Sequence, residues 1–387
     1  MLRVFFGGVC ALALTMGIAR FAYTPLLPVM QEETFLGVAS GGWLATIHYI
    51  GYFIGVIAGL RTEKIRSREI FYFWGLFLTI ISTFMMGVSD NFFLWSAARL
   101  VAGFCGAAGI IIGAGLIMQW LAENTDKPVQ MGKYFAGAGV GIVISAVGAI
   151  FFNKVNLSWN HQWFAYGVIS ILLFIPAWLL RPDNKVNINT KNLRKNIDKK
   201  KLDKPPKGLY KLLLMYFFSG FGFVVSATFT VAIVKVNLNN LESATYIWLL
   251  VGLASVPSVL FWDFIENKFG MLCALCCALL LHSISLLITA FVSDSLIFLL
   301  FSALLFGISH LGVVSLTMTL AGRESPNNPG KEMARLTIAF ALALIIGPSI
   351  AGIISEFQGS YFSSLILSAS MLISGIILLL LRNQELR

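Results

Sequence analysis

The chain has 387 residues, 58% hydrophobic and 12% charged, with a mean hydropathy of +0.83. A soluble domain carries about 25% charged residues, so the composition points away from a soluble fold and toward a polytopic membrane protein. The formal net charge of +10 does not signal a nucleic-acid binder, because Lys and Arg fall in gaps between apolar runs, the distribution that orients membrane helices.

A membrane-crossing helix needs about 20 mainly apolar residues at a rise of 1.5 Å. Twelve such segments are predicted, at 5–28, 40–60, 70–88, 92–121, 133–152, 162–180, 209–234, 245–265, 271–292, 296–320, 335–355 and 361–382, called spans 1 to 12 below. Alternation of period two is absent, so a membrane β-barrel is not indicated.

The start, MLRVFFGGVCALALTMGIAR, resembles a signal peptide with its Arg3 and apolar run. It continues through Arg20 into FAYTPLLP with no small-residue cleavage site, so it is predicted to stay as span 1, with Pro25 and Pro28 closing its outer end. Span 2 carries His48, Tyr49 and Tyr52, and Trp43 at its start reads as an interfacial anchor. Loop 2–3 reads GLRTEKIRSR, residues 59–68. In span 4, Arg99, Gly103, Gly106, Ile110 and Gly113 fall on one helical face, a stripe suited to close helix packing. Span 5 contains the small-residue string GAGVGIVISAVGA.

Residues 181–208 hold ten Lys or Arg and three Asp, and read as a solvated linker. They divide the chain into an N-terminal bundle (1–180) and a C-terminal bundle (209–387). Loop 8–9, DFIENKFG at 263–270, places an acidic and then a basic residue (Glu266, Lys268) where loop 2–3 places Glu63 and Lys64. Cys273, Cys276 and Cys277 in MLCALCCALLLHS lie in an apolar run with no polar partners, so no metal site is expected. His282 of span 9 reads as structural, and His310 of span 10 as either a neutral hydrogen-bonded histidine or a proton carrier. Span 11 contains GPSIAG, with Gly347, Pro348 and Gly352.

With the N-terminus in the cytoplasm, 24 of the 28 Lys and Arg residues lie on the cytoplasmic side, Lys154 and Lys235 outside, and Arg20 and Arg99 within spans. Both termini are therefore expected in the cytoplasm of a cell with a bacterial inner membrane. A charge at a helix centre costs about 2.5–3.5 kcal/mol on insertion scales. Arg20, His48 and Arg99 nonetheless fall at one expected depth, with no Asp or Glu in the middle of any span. Two readings stay open. An external anion supplies the missing charge, since the guanidinium fork binds carboxylate or phosphate bidentately. Alternatively Arg99 pins span 4 to backbone carbonyls and Arg20 bonds Tyr or Thr groups.

The six-plus-linker-plus-six layout and three motifs resemble the major facilitator superfamily (MFS). GLRTEKIRSR is similar to its loop 2–3 signature, with Gly59 and Arg68 matching, Glu63 and Lys64 replacing Asp-Arg, and Arg66 and Ser67 departing from Gly-Arg. RLVAGFCGAAG (99–109) resembles the span 4 signature, and GPSIAG the glycine-proline signature, here in span 11. GIARFAYTPLLPVMQ followed by GGWLATIHYIGYFIGVIAG resembles the YbfB/YjiJ-like branch.

The resemblance implies an all-α polytopic fold of twelve membrane helices in two pseudo-symmetric six-helix bundles, with spans 1, 4, 7 and 10 lining a central cavity. Arg20, Tyr23, Thr24, His48, Tyr49, Tyr52, Arg99 and His310 are the candidate cavity residues. Gly59, Glu63, Lys64, Arg66, Arg68, Glu266 and Lys268 are the candidate cytoplasmic gate. In an outward-facing state Glu63 is expected at the N-terminus of span 11, where the helix dipole favours an anion, with Arg66 and Arg68 latching across the gap. Positive-inside orientation accounts for those basic residues equally well.

The expected function is rocker-switch secondary transport of a small organic anion, coupled to protons, by a monomer without cofactors; the alternative is multidrug or metabolite efflux. No GxxxxGK[ST] loop occurs, which disfavours ATP-driven transport. An embedded enzyme is disfavoured because Ser309 and His310 are helix neighbours that point about 100° apart. A non-transporting sensor is disfavoured because the linker is too small and polar to be a signalling domain.

Overall fold

The computed structural model describes residues 2–62, 64–124, 132–182, 208–324 and 329–386. Glu63 and most of the expected linker, 183–207, lie outside the described residues. Among the described residues the chain is helical throughout, in twelve spans. Span 1 is Leu2–Glu33, span 2 Val38–Arg61, span 3 Ile65–Met85 and span 4 Phe92–Asn124. Span 5 is Gly132–Lys154, span 6 Trp159–Leu179, span 7 Leu209–Leu238 and span 8 Leu241–Phe269. Span 9 is Met271–Phe291, span 10 Leu296–Glu324, span 11 Pro329–Gln358 and span 12 Phe362–Leu386. Eleven of these are long and apolar enough to cross a membrane. Span 3 falls outside that set because its first turns carry Arg66, Arg68 and Glu69.

Span 1 departs most from expectation. Pro25 and Pro28 do not close it; the helix runs on to Glu33 and ends where the Thr34 N–H and hydroxyl both donate to the Met30 carbonyl, at 3.0 and 2.6 Å. Pro25 falls in the first turn of the segment that starts at Tyr23, where a missing N–H costs little. The cause of that restart is a π-helical stretch over Ala13–Phe21, matched by another over Ala108–Gly113 in span 4. The two stretches touch: a Cβ on Gly109 would stand 2.2 Å from the Thr15 hydroxyl. The Tyr134 hydroxyl of span 5 donates to the Gly109 carbonyl. The π stretch also breaks the expected glycine stripe of span 4. Gly103 and Gly106 face His48 and Tyr52 of span 2, whereas Gly113 turns to Tyr134 and Tyr72.

The packing repeats with a pseudo-two-fold. In the first six spans 2 packs on 4, 1 on 5 and 3 on 6; in the last six 8 packs on 10, 7 on 11 and 9 on 12. Across the halves span 2 meets 11 and span 5 meets 8, again symmetric, with span 1 against 7. Lipid is as apolar as a helix surface, so such contacts depend on close packing and hydrogen bonds. At Gly103 a Cβ would lie 1.8 Å from the His48 carbonyl oxygen, and at Gly42 one would lie 2.3 Å from that of Pro348. The first is a contact within one half; the second joins the two.

Described hydrogen bonds and ion pairs between the halves gather at the end away from the chain termini. Thr24 donates to the Ala227 carbonyl, Thr46 to that of Ile345 (2.7 Å), and the Ala39 N–H to Glu356 (2.6 Å). The Trp248 indole donates to Ser145 (3.2 Å), Lys235 pairs with Glu32, and Lys154 lies 3.8 Å from Glu242. At the opposite end, ion pairs Glu266–Arg323, Glu324–Arg382 and Glu385–Lys211 all lie within the second half.

Candidate functional site

Span 4 delivers Arg99 to the junction of spans 1, 2 and 4. Its helix begins cleanly because the Asn91 side chain caps it, accepting from the N–H groups of Phe93 (2.8 Å) and Leu94 (3.3 Å). Two turns on, Arg99 Nη1 donates to the Ala19 carbonyl at 2.9 Å, and Nε to that of Leu44 at 3.4 Å. The guanidinium carbon lies 4.4 Å from the Tyr23 ring centre, and the Tyr23 hydroxyl donates to the Gly41 carbonyl at 2.8 Å. Arg99 therefore ties three helices together through backbone oxygens.

Arg20 is placed differently. It belongs to the π-helical stretch of span 1 and is only 8% exposed. Its guanidinium carbon lies 4.9 Å from the ring centres of Phe21 and Tyr49 and 5.0 Å from that of Phe223 in span 7, so rings of both halves lie against it. Nε and Nη2 have no hydrogen-bond partner. These two nitrogens form the edge of a guanidinium that receives a carboxylate bidentately. Neither Tyr nor Thr bonds that edge, and a buried unpaired charge is costly unless a partner arrives.

His48 is buried in span 2, its ring edge-on to Tyr49 at 5.5 Å and its Nδ1 without a partner. Tyr52 is half-buried beside Gly106. His310 stacks on Phe223, the rings 5.4 Å apart and 24° from parallel, with Nδ1 2.9 Å from the Phe306 carbonyl. Ser309 also donates to that carbonyl, so Ser309 and His310 do not form a pair. Thr24 joins the contact between the halves rather than the arginine cluster.

Of the gate residues, Lys64 and Arg66 are exposed, Arg68 Nε donates to the Thr62 carbonyl at 3.0 Å within loop 2–3, and Gly59 touches Ile111 and Ile112. Glu266 pairs with Arg323 of span 10, and Lys268 lies 5.3 Å from the Phe269 ring. Gly347 seats Val224 of span 7, and Gly352 approaches Val38 of span 2.

Sequence reasoning missed the second half's share of this site. Phe223 stacks toward Phe340 (6.0 Å, 28°), which stacks on Tyr216 (4.6 Å, 27°). The available signal was the aromatic run FFSGFGF, 217–223, in span 7. His282 is buried in span 9, its Nε2 without a partner and its ring 5.2 Å from that of Phe306.

Comparison with known proteins gives the family. The family described as "Uncharacterised MFS-type transporter YbfB" matches residues 12–380. The chain belongs to this family of MFS-type transporters. It is 21% identical over 359 residues to the uncharacterized MFS-type transporter YceJ of Bacillus subtilis (strain 168), covering 88% of this chain and 86% of the relative. It is 22% identical over 362 residues to the protein TsgA homolog of Buchnera aphidicola subsp. Baizongia pistaciae (strain Bp), covering 91% and 85%. Among solved structures it resembles the nucleoside transporter NupG, with a TM-score of 0.75, 12% identity and 98% of each chain covered. It also resembles a bacterial homolog of the human lysosomal transporter Spinster in an inward-facing and occupied conformation, with a TM-score of 0.71, 15% identity, and 99% of this chain and 96% of that one covered. These structural likenesses extend to the fold.

Proposed function

We propose that this MFS-type transporter is a secondary transporter that moves a small organic anion across a bacterial cytoplasmic membrane, with Arg20 as the anion receptor. The observation that carries the reading is the Nε–Nη2 edge of Arg20, buried and unpartnered where the two halves meet. Arg99 supports the site by holding spans 1, 2 and 4 in register beneath it. The halves, 1–180 and 209–387, are the bodies that rock, with 181–208 as the cytoplasmic linker. The basic residues orient the termini toward the cytoplasm. The contacts of Thr24, Ala39, Thr46 and Lys235 then close the outer end, and the conformation is inward-facing. His310, stacked on the Phe223 ring that also lies against Arg20, is the candidate proton carrier. The unit of transport is the monomer.

The test is thermal stabilisation of the purified protein by a panel of organic anions, cations and neutral drugs, with Arg20→Gln and Arg20→Lys beside it. Anions stabilise the wild type, Arg20→Gln abolishes the effect, and Arg20→Lys restores part of it. Stabilisation by neutral or cationic compounds alone would overturn the reading. Proton coupling is read in proteoliposomes as substrate-driven pH change that His310→Asn removes.

A further inference from the structure

We infer that the anion is a planar aromatic monocarboxylate, an inference that rests on the anion reading above and narrows it. Two features of the site combine. The first is charge. The free edge of Arg20 receives one carboxylate, and Arg99 offers no complete edge for a second bidentate one, because its Nη1 and Nε go to the carbonyls of Ala19 and Leu44. A dicarboxylate or phosphate monoester would bring a second anionic group into a buried site that has no second free guanidinium edge to receive it bidentately.

The second feature is shape. A carboxylate held by both nitrogens lies in the plane of the guanidinium. Three rings lie about 5 Å from the guanidinium carbon, Phe21 and Tyr49 (4.9 Å each) from one half and Phe223 (5.0 Å) from the other. Within the second half, His310 lies at 24° and Phe340 at 28° to the Phe223 plane, and Tyr216 at 27° to that of Phe340. These near-parallel rings come from spans 7, 10 and 11. A flat ring attached to the carboxylate continues the guanidinium plane between such walls and stacks on them. A saturated ring of the same size is thicker and gains no stacking. When the halves part, Phe223 withdraws from Arg20 while Phe21 and Tyr49 stay with it, which opens the slot on one side.

The experiment measures equilibrium binding of benzoate, cyclohexanecarboxylate, phthalate and benzyl alcohol to the full-length protein by isothermal titration. It is done on the wild type, Arg20→Gln, Phe223→Leu and Phe340→Leu. Benzoate is expected to bind at least about fivefold more tightly than cyclohexanecarboxylate, the worth of one ring stack. Phthalate is expected to bind more weakly than benzoate, and benzyl alcohol not at all. Phe223→Leu should erase the preference for benzoate while Arg20-dependent binding of both monocarboxylates persists; Phe340→Leu reads the same loss if Phe223→Leu does not fold. Equal, Arg20-dependent affinities for benzoate and cyclohexanecarboxylate overturn the aromatic assignment and leave the anion reading standing. Phthalate binding as tightly as benzoate overturns the single charge. Binding of benzyl alcohol as tight as benzoate, or benzoate binding unchanged in Arg20→Gln, defeats the anion reading itself. Absence of binding by every carboxylate overturns both.

Discussion

Replacing Gly42 by Ala should shift the balance between the transporter's two states without unfolding it. A Cβ at Gly42 would stand 2.3 Å from the carbonyl oxygen and 3.1 Å from the carbonyl carbon of Pro348, and 3.4 Å from the Cα of Gly352. All three atoms are backbone of span 11, in the other half, so no side-chain rotation relieves the clash. Ordinary contact requires spans 2 and 11 to separate there by about 1 Å, and overpacking of this kind costs about 1–3 kcal/mol. The Thr46 bond to Ile345, one turn along span 2, stretches with it.

That cost falls only on the state in which the halves meet at this end, so the equilibrium moves away from it by about 5- to 150-fold. Gly103→Ala is the matched control. Its Cβ would lie 1.8 Å from the His48 oxygen, but spans 2 and 4 belong to one half, so the clash is present in both states. It should lower the melting temperature and leave the balance alone. The assay is pulsed electron paramagnetic resonance between spin labels at Asp90→Cys and Asp294→Cys, exposed positions in loops 3–4 and 9–10. Cys273, Cys276 and Cys277, which are free, are changed to Ser. Gly42→Ala should populate longer distances. An unchanged distribution in folded Gly42→Ala, or an equal shift in Gly103→Ala, refutes the reasoning.

Thr24→Val removes one bond between the halves, to Ala227, and should move the same distances in the same direction by the weaker amount of about 1 kcal/mol. Arg99→Met should lower the melting temperature strongly, because it strips charged hydrogen bonds of about 1.5–3 kcal/mol each from the Ala19 and Leu44 carbonyls. Arg99→Lys should not restore it, since one ammonium does not span both oxygens. Glu266→Gln should lower the melting temperature modestly: its partner Arg323 is 60% exposed to solvent, while the Glu266 side chain itself is only 9% exposed and loses a charged hydrogen bond of about 1.5–3 kcal/mol at most. A large drop would show that this pair holds spans 8 and 10 together.

The sequence alone determined the number of helices, their division into two sixes and the family, because each follows from local runs of apolar residues and short motifs. It also singled out Arg20, His48 and Arg99, since a charge in an apolar run is conspicuous whatever surrounds it. Helix length was less legible. Pro25 and Pro28 read as a stop, but a π-helical stretch just before them lets the helix restart and carry on to Glu33, and no local pattern in Ala13–Phe21 announces it.

What only tertiary structure decided is the difference between the two arginines. They look alike in sequence, yet Arg99 meets backbone oxygens of spans 1 and 2 while Arg20 keeps a bare donor edge among rings. Phe223 supplies one of those rings from a helix some two hundred residues away. Hydrophobic periodicity reports which face of a helix is buried; it carries no information about which distant helix buries it. Whether a buried charge is satisfied depends on atoms contributed by other helices, and those are assigned only when the halves come together.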